Sequence, residues 1–214
     1  MATYINHRNP NAPQMDEQIR QLEKVPGVCI FIDLINSTGD KYSCSDEGWI
    51  KKINNTFNFI SLLNQFPNFV VKGIGDEMML YLPDHALIKN DAFSNYYTLL
   101  GEIYATMDTL VHHPLKDLFY RCKVGIHYCT EVFNITFFEG VNDYYGKDID
   151  LSARLMTKAY ENCIVMSEAF YQKVFNDYKK TQERMSFLSG ISDICTDHFK
   201  GVPQAIEYRL LQIQ

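Results

Sequence analysis

Hydrophobic positions along the chain alternate between two rhythms: unbroken apolar runs of strand length, and apolar residues recurring every three or four positions. Gly27-Val28-Cys29-Ile30-Phe31-Ile32-Asp33 is continuously apolar, short and rich in β-branched residues, which predicts a buried strand ending on a carboxylate. Trp49, Ile50, Ile53, Phe57, Ile60 and Leu63 then follow helical spacing and predict a core-facing helix from a cap at Asp46 to about Asn64. Phe69 to Leu82 reads as two apolar strands joined by a turn, with Gly73 and Gly75 permitting positive φ, Asp76 closing the turn and Pro83 ending the hairpin. A second helix over about Asn90 to His112 turns Tyr96, Leu99, Leu100, Ile103 and Met107 inward, and Phe119 to Tyr128 gives a further strand. Strand, helix, strand, strand, helix, strand is the ferredoxin-like βαββαβ order, an α+β arrangement.

Further β and α elements extend this core toward the C-terminus. Glu131 to Phe138 continues as a strand, and a turn at Glu139 to Asn142 precedes Asp143-Tyr144-Tyr145-Gly146. A helix over about Asp148 to Tyr160 places Asp150 and Arg154 on one face. Asn162 to Met166 is a short buried strand, Ser167 caps a helix through about Tyr178, and Ala205 to Leu210 supplies a closing strand. Residues 1–26 form a polar arm with Pro10 and Pro13, then a short helix from about Met15 to Lys24 whose apolar face is only Ile19 and Leu22. Pro26 and Gly27 separate that arm from a single domain over residues 27–214.

Composition narrows the function classes. With 214 residues, 46% of them hydrophobic, the chain suffices for one sizeable core and is short for two. A formal net charge of −6 argues against a DNA- or RNA-binding surface, since polyanion affinity rests on Lys and Arg. Neither a signal peptide nor an apolar run of membrane-spanning length is apparent, so a soluble, cytoplasmic protein is expected. The six cysteines show no CxxC spacing and read as reduced core thiols, not as a zinc site or disulfide framework. In that compartment the glycosylation patterns at Asn54 and Asn134 carry no meaning, and the histidines show no ligand spacing such as HExxH.

The candidate chemistry starts from two carboxylates. Asp33 and Asp76 each end an apolar segment, and a buried carboxylate without a partner costs several kcal/mol. If the strands bring them together, a hard divalent cation is the natural partner; each also reads as an ordinary turn or helix cap. Leu34-Ile35-Asn36-Ser37-Thr38-Gly39 offers backbone N–H groups and hydroxyls for phosphate oxygens, or simply makes a turn. Asp150 and Arg154 also read as a helix-surface ion pair. Neither a P-loop nor a dinucleotide fingerprint is present, because Gly73-Ile-Gly75-Asp76 lacks the third glycine of GxGxxG.

The segments Phe31-Ile-Asp33-Leu-Ile-Asn-Ser37-Thr38, Lys72-Gly-Ile-Gly75-Asp76, Arg121-Cys-Lys-Val-Gly-Ile-His127 and Asp143-Tyr-Tyr-Gly146 leading to Asp150-Leu-Ser-Ala-Arg154 resemble, in order, motifs of the class III nucleotidyl cyclases. The resemblance spans about Gly27 to Arg209. It implies the same core, with Asp33 and Asp76 bridging two divalent cations (Mn²⁺ or Mg²⁺), the Leu34 carbonyl as a further ligand, and Asn36, Ser37 and Thr38 at the triphosphate. Arg154 becomes the catalytic cation at the α-phosphate, and Lys72 and Asp143 fall where the family reads the base, a pair like that of adenylyl cyclases. In the family the carboxylates and the arginine of one site come from different subunits, implying a homodimer with composite active sites. The chain departs from the family at Asp150, where Asn is usual, and that puts ribose positioning in doubt.

The implied activity is conversion of a ribonucleoside triphosphate to a 3′,5′-cyclic nucleotide plus pyrophosphate. Bulky Tyr144 and Tyr145 beside Asp143 narrow the base pocket against a purine, and the short layout resembles the bacterial pyrimidine cyclases of Pycsar phage defence, whose cyclic product a separate effector reads. UTP is therefore favoured, then CTP, with cyclic AMP synthesis as the alternative. An inactive nucleotide-binding regulatory module and a polymerase-like phosphoryl transferase are the competing classes. The first would be expected to have lost a carboxylate or the arginine, and the second would demand a basic channel.

Overall fold

The computed structural model describes residues 2–5, 13–62, 66–87, 94–181 and 185–214. In chain order its elements are β1 (Thr3–Tyr4), α1 (Pro13–Arg20), β2 (Gly27–Leu34), α2 (Ser37–Ser43), α3 (Asp46–Leu62), β3 (Val70–Ile74), β4 (Glu77–Pro83), α4 (Asp84–Leu87) and α5 (Tyr96–His112). There follow β5 (Cys122–Cys129), β6 (Ile135–Thr136), α6 (Lys147–Met156), β7 (Cys163–Ser167), α7 (Glu168–Tyr178), β8 (Cys195–Asp197) and β9 (Ile206–Gln212). The main sheet has seven strands in the order β3-β4-β2-β5-β7-β9-β8, antiparallel except for the β5–β7 pair. Its first four strands, with α3 and α5, are the ferredoxin-like core, and β7 to β9 with α7 are the C-terminal extension.

The apolar run of β2 is explained by burial on both faces. Val28, Ile30, Ile32 and Leu34 pack with Ile60 of α3, Leu99, Ile103 and Met107 of α5 and Phe170 of α7. Cys29 and Phe31 point the other way, onto Ile149 and Met156 of α6. Each large side chain buried there contributes roughly 1.5–3 kcal/mol, which fixes β2 at the centre and α6 on its own face. At the β5–α6 contact only glycine fits: a Cβ on Gly125 would lie 2.6 Å from Cβ and 2.8 Å from Cα of Met156. Gly125→Ala is therefore expected to cost about 1–3 kcal/mol by pushing α6 outward, read as a lower urea midpoint with an unchanged slope.

Several elements differ from the sequence reading. The strand expected over Glu131 to Phe138 shrinks to β6: the Asp148 carboxylate takes the Thr130 and Glu131 N–H groups at 2.7 and 2.8 Å, and Val132 and Phe133 make only isolated backbone bonds to Val25 and Tyr145. Part of the expected polar arm is instead β1, paired in parallel with β6; Pro10 lies outside the described residues. Helix α1 stops at Arg20, and Lys24 makes an isolated bridge to Phe133. Helix α6 ends at Met156, where turns led by Lys158 N–H to Leu155 and Ala159 N–H to Met156 replace its last turn. Ser45, not Asp46, caps α3, its Oγ accepting from Gly48 N–H at 3.2 Å, and Ile50 is 49% exposed although it shares the helical spacing. Leu63 and Asn64, and the stretch from Asn90 to Ala92 expected to begin α5, lie outside the described residues; α5 starts at Tyr96 with Asn95 and Thr98 forming a capping box. Of the hairpin glycines only Gly75 takes positive φ, at 67°. Edge strand β8 has too short an apolar signature to be read.

Candidate active site

The carboxylates predicted from the strand ends meet at one corner of the sheet. Asp33 stands opposite Glu77 of β4 and Lys123 of β5, and Lys123 Nζ lies 2.9 Å from its Oδ2. The turn before β4 folds Asp76 over the end of β2, where the Leu34 N–H donates to the Asp76 carbonyl at 3.3 Å. The Asp76 carboxylate accepts from Ser37 Oγ and faces Lys41 Nζ at 3.9 Å. Glu77 was not singled out from the sequence. Its Oε1 is buried with no hydrogen-bond partner, and burial, then repulsion from Asp33 and Asp76 only partly offset by Lys123, pushes its carboxyl up to about 7. Clustered acidic groups with an orphaned buried oxygen are a donor set that suits a hard divalent cation.

Asn36 adopts a left-handed conformation (φ 63°) just before α2. Ser37 is fully buried with its hydroxyl committed to Asp76, while Thr38 is exposed. The N–H groups of Ser37, Thr38 and Gly39 precede the first intrahelical bond, from Asp40 N–H to the Asn36 carbonyl at 3.1 Å. Lys72 and Asp143 are brought together: Lys72 Nζ donates to both Asp143 oxygens at 2.9 and 2.8 Å and lies 5.4 Å from the Tyr145 ring centroid. Asn134 Nδ2 and Tyr144 N–H hold the Asp143 carbonyl and carboxylate, and Tyr144 stacks on Tyr81 at 4.2 Å.

Asp150 and Arg154 sit together in a different place. Both line a cleft of about 480 Å³ with Thr130, Glu131, Lys147 and Gly201. Among the described residues neither side chain forms an ion pair, so the helix-surface pairing open to them from sequence is not made. The Arg154 guanidinium is left facing the cleft. Lys123, beside Asp33, and Thr130, on the cleft wall, are separated by the length of β5, roughly 23 Å at strand rise. Lys123 and Glu77 escaped the sequence reading, although each is a lone charge in an apolar strand, the same signal that marked Asp33.

No protein-family model and no curated protein matches the chain. Solved structures do. The adenylyl cyclase CyaB from P. aeruginosa superposes with a TM-score of 0.66 at 15% identity over 89% of this chain and 95% of that one. The guanylyl cyclase Cya2 gives 0.69 at 14% identity over 90% and 95%. The guanylate cyclase domain of RhGC from Catenaria anguillulae, in complex with GTP, gives 0.66 at 11% identity over 90% and 99%. The chain therefore has the fold of the class III cyclase catalytic domains. No helix among the described residues is long and apolar enough to cross a membrane.

Proposed function

We propose that the chain is a nucleotide cyclase, acting as a homodimer, that converts a ribonucleoside triphosphate to its 3′,5′-cyclic nucleotide and pyrophosphate. The observation that carries the reading is that this fold holds both a carboxylate corner and a separate cleft lined by an arginine with no ion pair among the described residues. A second copy related by a two-fold axis brings one protomer's corner to the other's cleft, twice per dimer. The ribose 3′-oxygen attacks the α-phosphorus, the bond from that phosphorus to the β-phosphate bridging oxygen breaks, pyrophosphate leaves and the hydroxyl proton passes to solvent. Asp33, Asp76 and the Leu34 carbonyl would hold two divalent cations, Mn²⁺ or Mg²⁺, which would supply Lewis acidity to the displacement. Ser37 orients Asp76, and the backbone at Asn36, Ser37 and Thr38 takes triphosphate oxygens. Arg154 of the opposite protomer stabilises the charge that grows at the α-phosphate. Asp150 lies one helical turn away, toward the ribose.

Lys72 and Asp143 read the base. A cationic donor beside a carboxylate acceptor fits the pairing edges of adenine and cytosine and, in reversed order, of uracil, and disfavours guanine. Tyr144 fixed on Tyr81 and Tyr145 beneath Lys72 put bulk beside that pair, which favours a pyrimidine, UTP first and CTP next. Cyclic AMP synthesis is the second reading, favoured by the lysine–aspartate pair itself. The product would then serve as a cytoplasmic second messenger for a separate effector, as in antiviral defence. Incubation with each of the four ribonucleoside triphosphates and manganese, with mass spectrometry of the products, is expected to give cyclic UMP as the main product. Dominant cyclic AMP would move the assignment to the second reading, and no cyclic product from any triphosphate would overturn the cyclase reading.

A further inference from the structure

Strand β5 carries a second cluster, away from the carboxylate corner. His127 and Cys129 are two residues apart, so both leave the sheet on the face covered by α6, whose first turn lays Asp148 over them. One ligand atom from each residue lies within 4.8 Å of the other two. The His127 side chain is 9% exposed, its Nδ1 is buried with no hydrogen-bond partner, and its Nε2 is 4.0 Å from Asp148 Oδ1, beyond hydrogen-bond reach. Asp148 Oδ2 is occupied by the Thr130 and Glu131 N–H groups, which leaves Oδ1 toward the imidazole. Cys129 Sγ lies 3.7 Å from the His127 carbonyl and 3.8 Å from Ser152 Oγ, and it also neighbours the Cys29 thiol. Buried polar atoms are almost always paired, and an imidazole with its Nδ1 unpartnered and its Nε2 turned to a carboxylate, beside a thiol, has the form of an incomplete coordination shell.

We propose that His127, Cys129 and Asp148 form a zinc site, with an imidazole nitrogen, a thiolate and a carboxylate oxygen as protein ligands and water in the fourth position. A thiolate and an imidazole select zinc over the hard cations that suit an all-oxygen corner. Zinc bond lengths of about 2.0–2.3 Å place tetrahedral ligands roughly 3.3–3.7 Å apart, so side-chain rotations of about an ångström close the shell. The imidazole and carboxylate also border an open cleft of about 430 Å³, which gives the ion a path and the water a place. Ligation releases the thiol proton to solvent. It ties the first turn of α6 to the end of β5, and the same helix presents Asp150 and Arg154, so zinc here acts as a positioning clamp on the arginine cleft.

The full chain carrying Asp33→Asn and Asp76→Asn, which silences the carboxylate corner, is titrated with cobalt as a spectroscopic stand-in and dialysed against zinc. It is expected to bind about one equivalent of either metal and to show a thiolate-to-cobalt charge-transfer band that zinc abolishes. Cys129→Ser and His127→Gln, each made in that background and checked for folding by circular dichroism, are each expected to lose the band and cut zinc retention at least about tenfold. Absence of the thiolate band in the parent, or its survival in either folded variant, overturns the site.

Discussion

Replacing Asp33 or Asp76 by asparagine is expected to lower kcat by at least about a hundredfold to a thousandfold while leaving thermal stability unchanged or slightly raised. The loss of turnover follows from the proposed bridging role: a carboxylate shared by two cations removes both when it goes. The stability half runs against the usual direction for a buried charge. Asp33 and Lys123 are each 22% exposed in their side chains, and a pair that solvent reaches contributes no more than about 1 kcal/mol. Against that, each substitution relieves Glu77, whose carboxyl is already pushed up partly by repulsion from these two neighbours. Steady-state kinetics with added manganese or magnesium, paired with a melting curve for each variant, checks both halves. Full activity of either variant in excess chelator would remove the basis of the assignment.

The parts legible in the sequence were those whose signal is local. A carboxylate ending a continuously apolar strand has no packing reason to be there, which is why Asp33 stands out from the sequence alone, and Asp76 stands out as the carboxylate closing the turn of an apolar hairpin. The helical spacing of Leu99, Leu100, Ile103 and Met107 likewise reads directly as a core face, and all four are buried. Glu77 and Lys123 depend on something a single strand does not carry. They become neighbours of Asp33 only through the registers of β2 with β4 and β5, and register is set by pairing across the sheet. The stretch from Glu131 to Phe138 misled for a related reason: a side chain from α6 takes the N–H group at its start, and Val132 and Phe133 find only isolated backbone partners in Val25 and Tyr145. His127 and Cys129 looked ordinary because ligand spacing was sought along the chain, whereas the third member comes from a helix beginning eighteen residues later. Asp150 and Arg154 show the converse limit, since correct helical spacing did not make them a pair.

The proposed meeting of carboxylates and arginine across a subunit interface leads to the sharpest test of a shared site. In the proposed dimer each site takes its carboxylates from one protomer and its arginine from the other. Homodimers of Asp33→Asn and of Arg154→Ala are therefore each expected to be inactive, because each spoils both of its sites in the same way. A heterodimer of the two concentrates both defects in one site and leaves the other with an intact Asp33 from one protomer and an intact Arg154 from its partner. Mixing equal amounts under subunit exchange makes about half of all dimers heterodimers, each with one working site, so activity should recover to roughly a quarter of the wild-type level. The recovery should follow the rate of exchange and vanish when the protomers are cross-linked before mixing. Differently tagged copies, purified through both tags, give the heterodimer alone and raise the expected value to about half. If that doubly purified heterodimer turns over no substrate, the carboxylates and the arginine do not meet across a subunit interface, and the symmetric composite site is wrong.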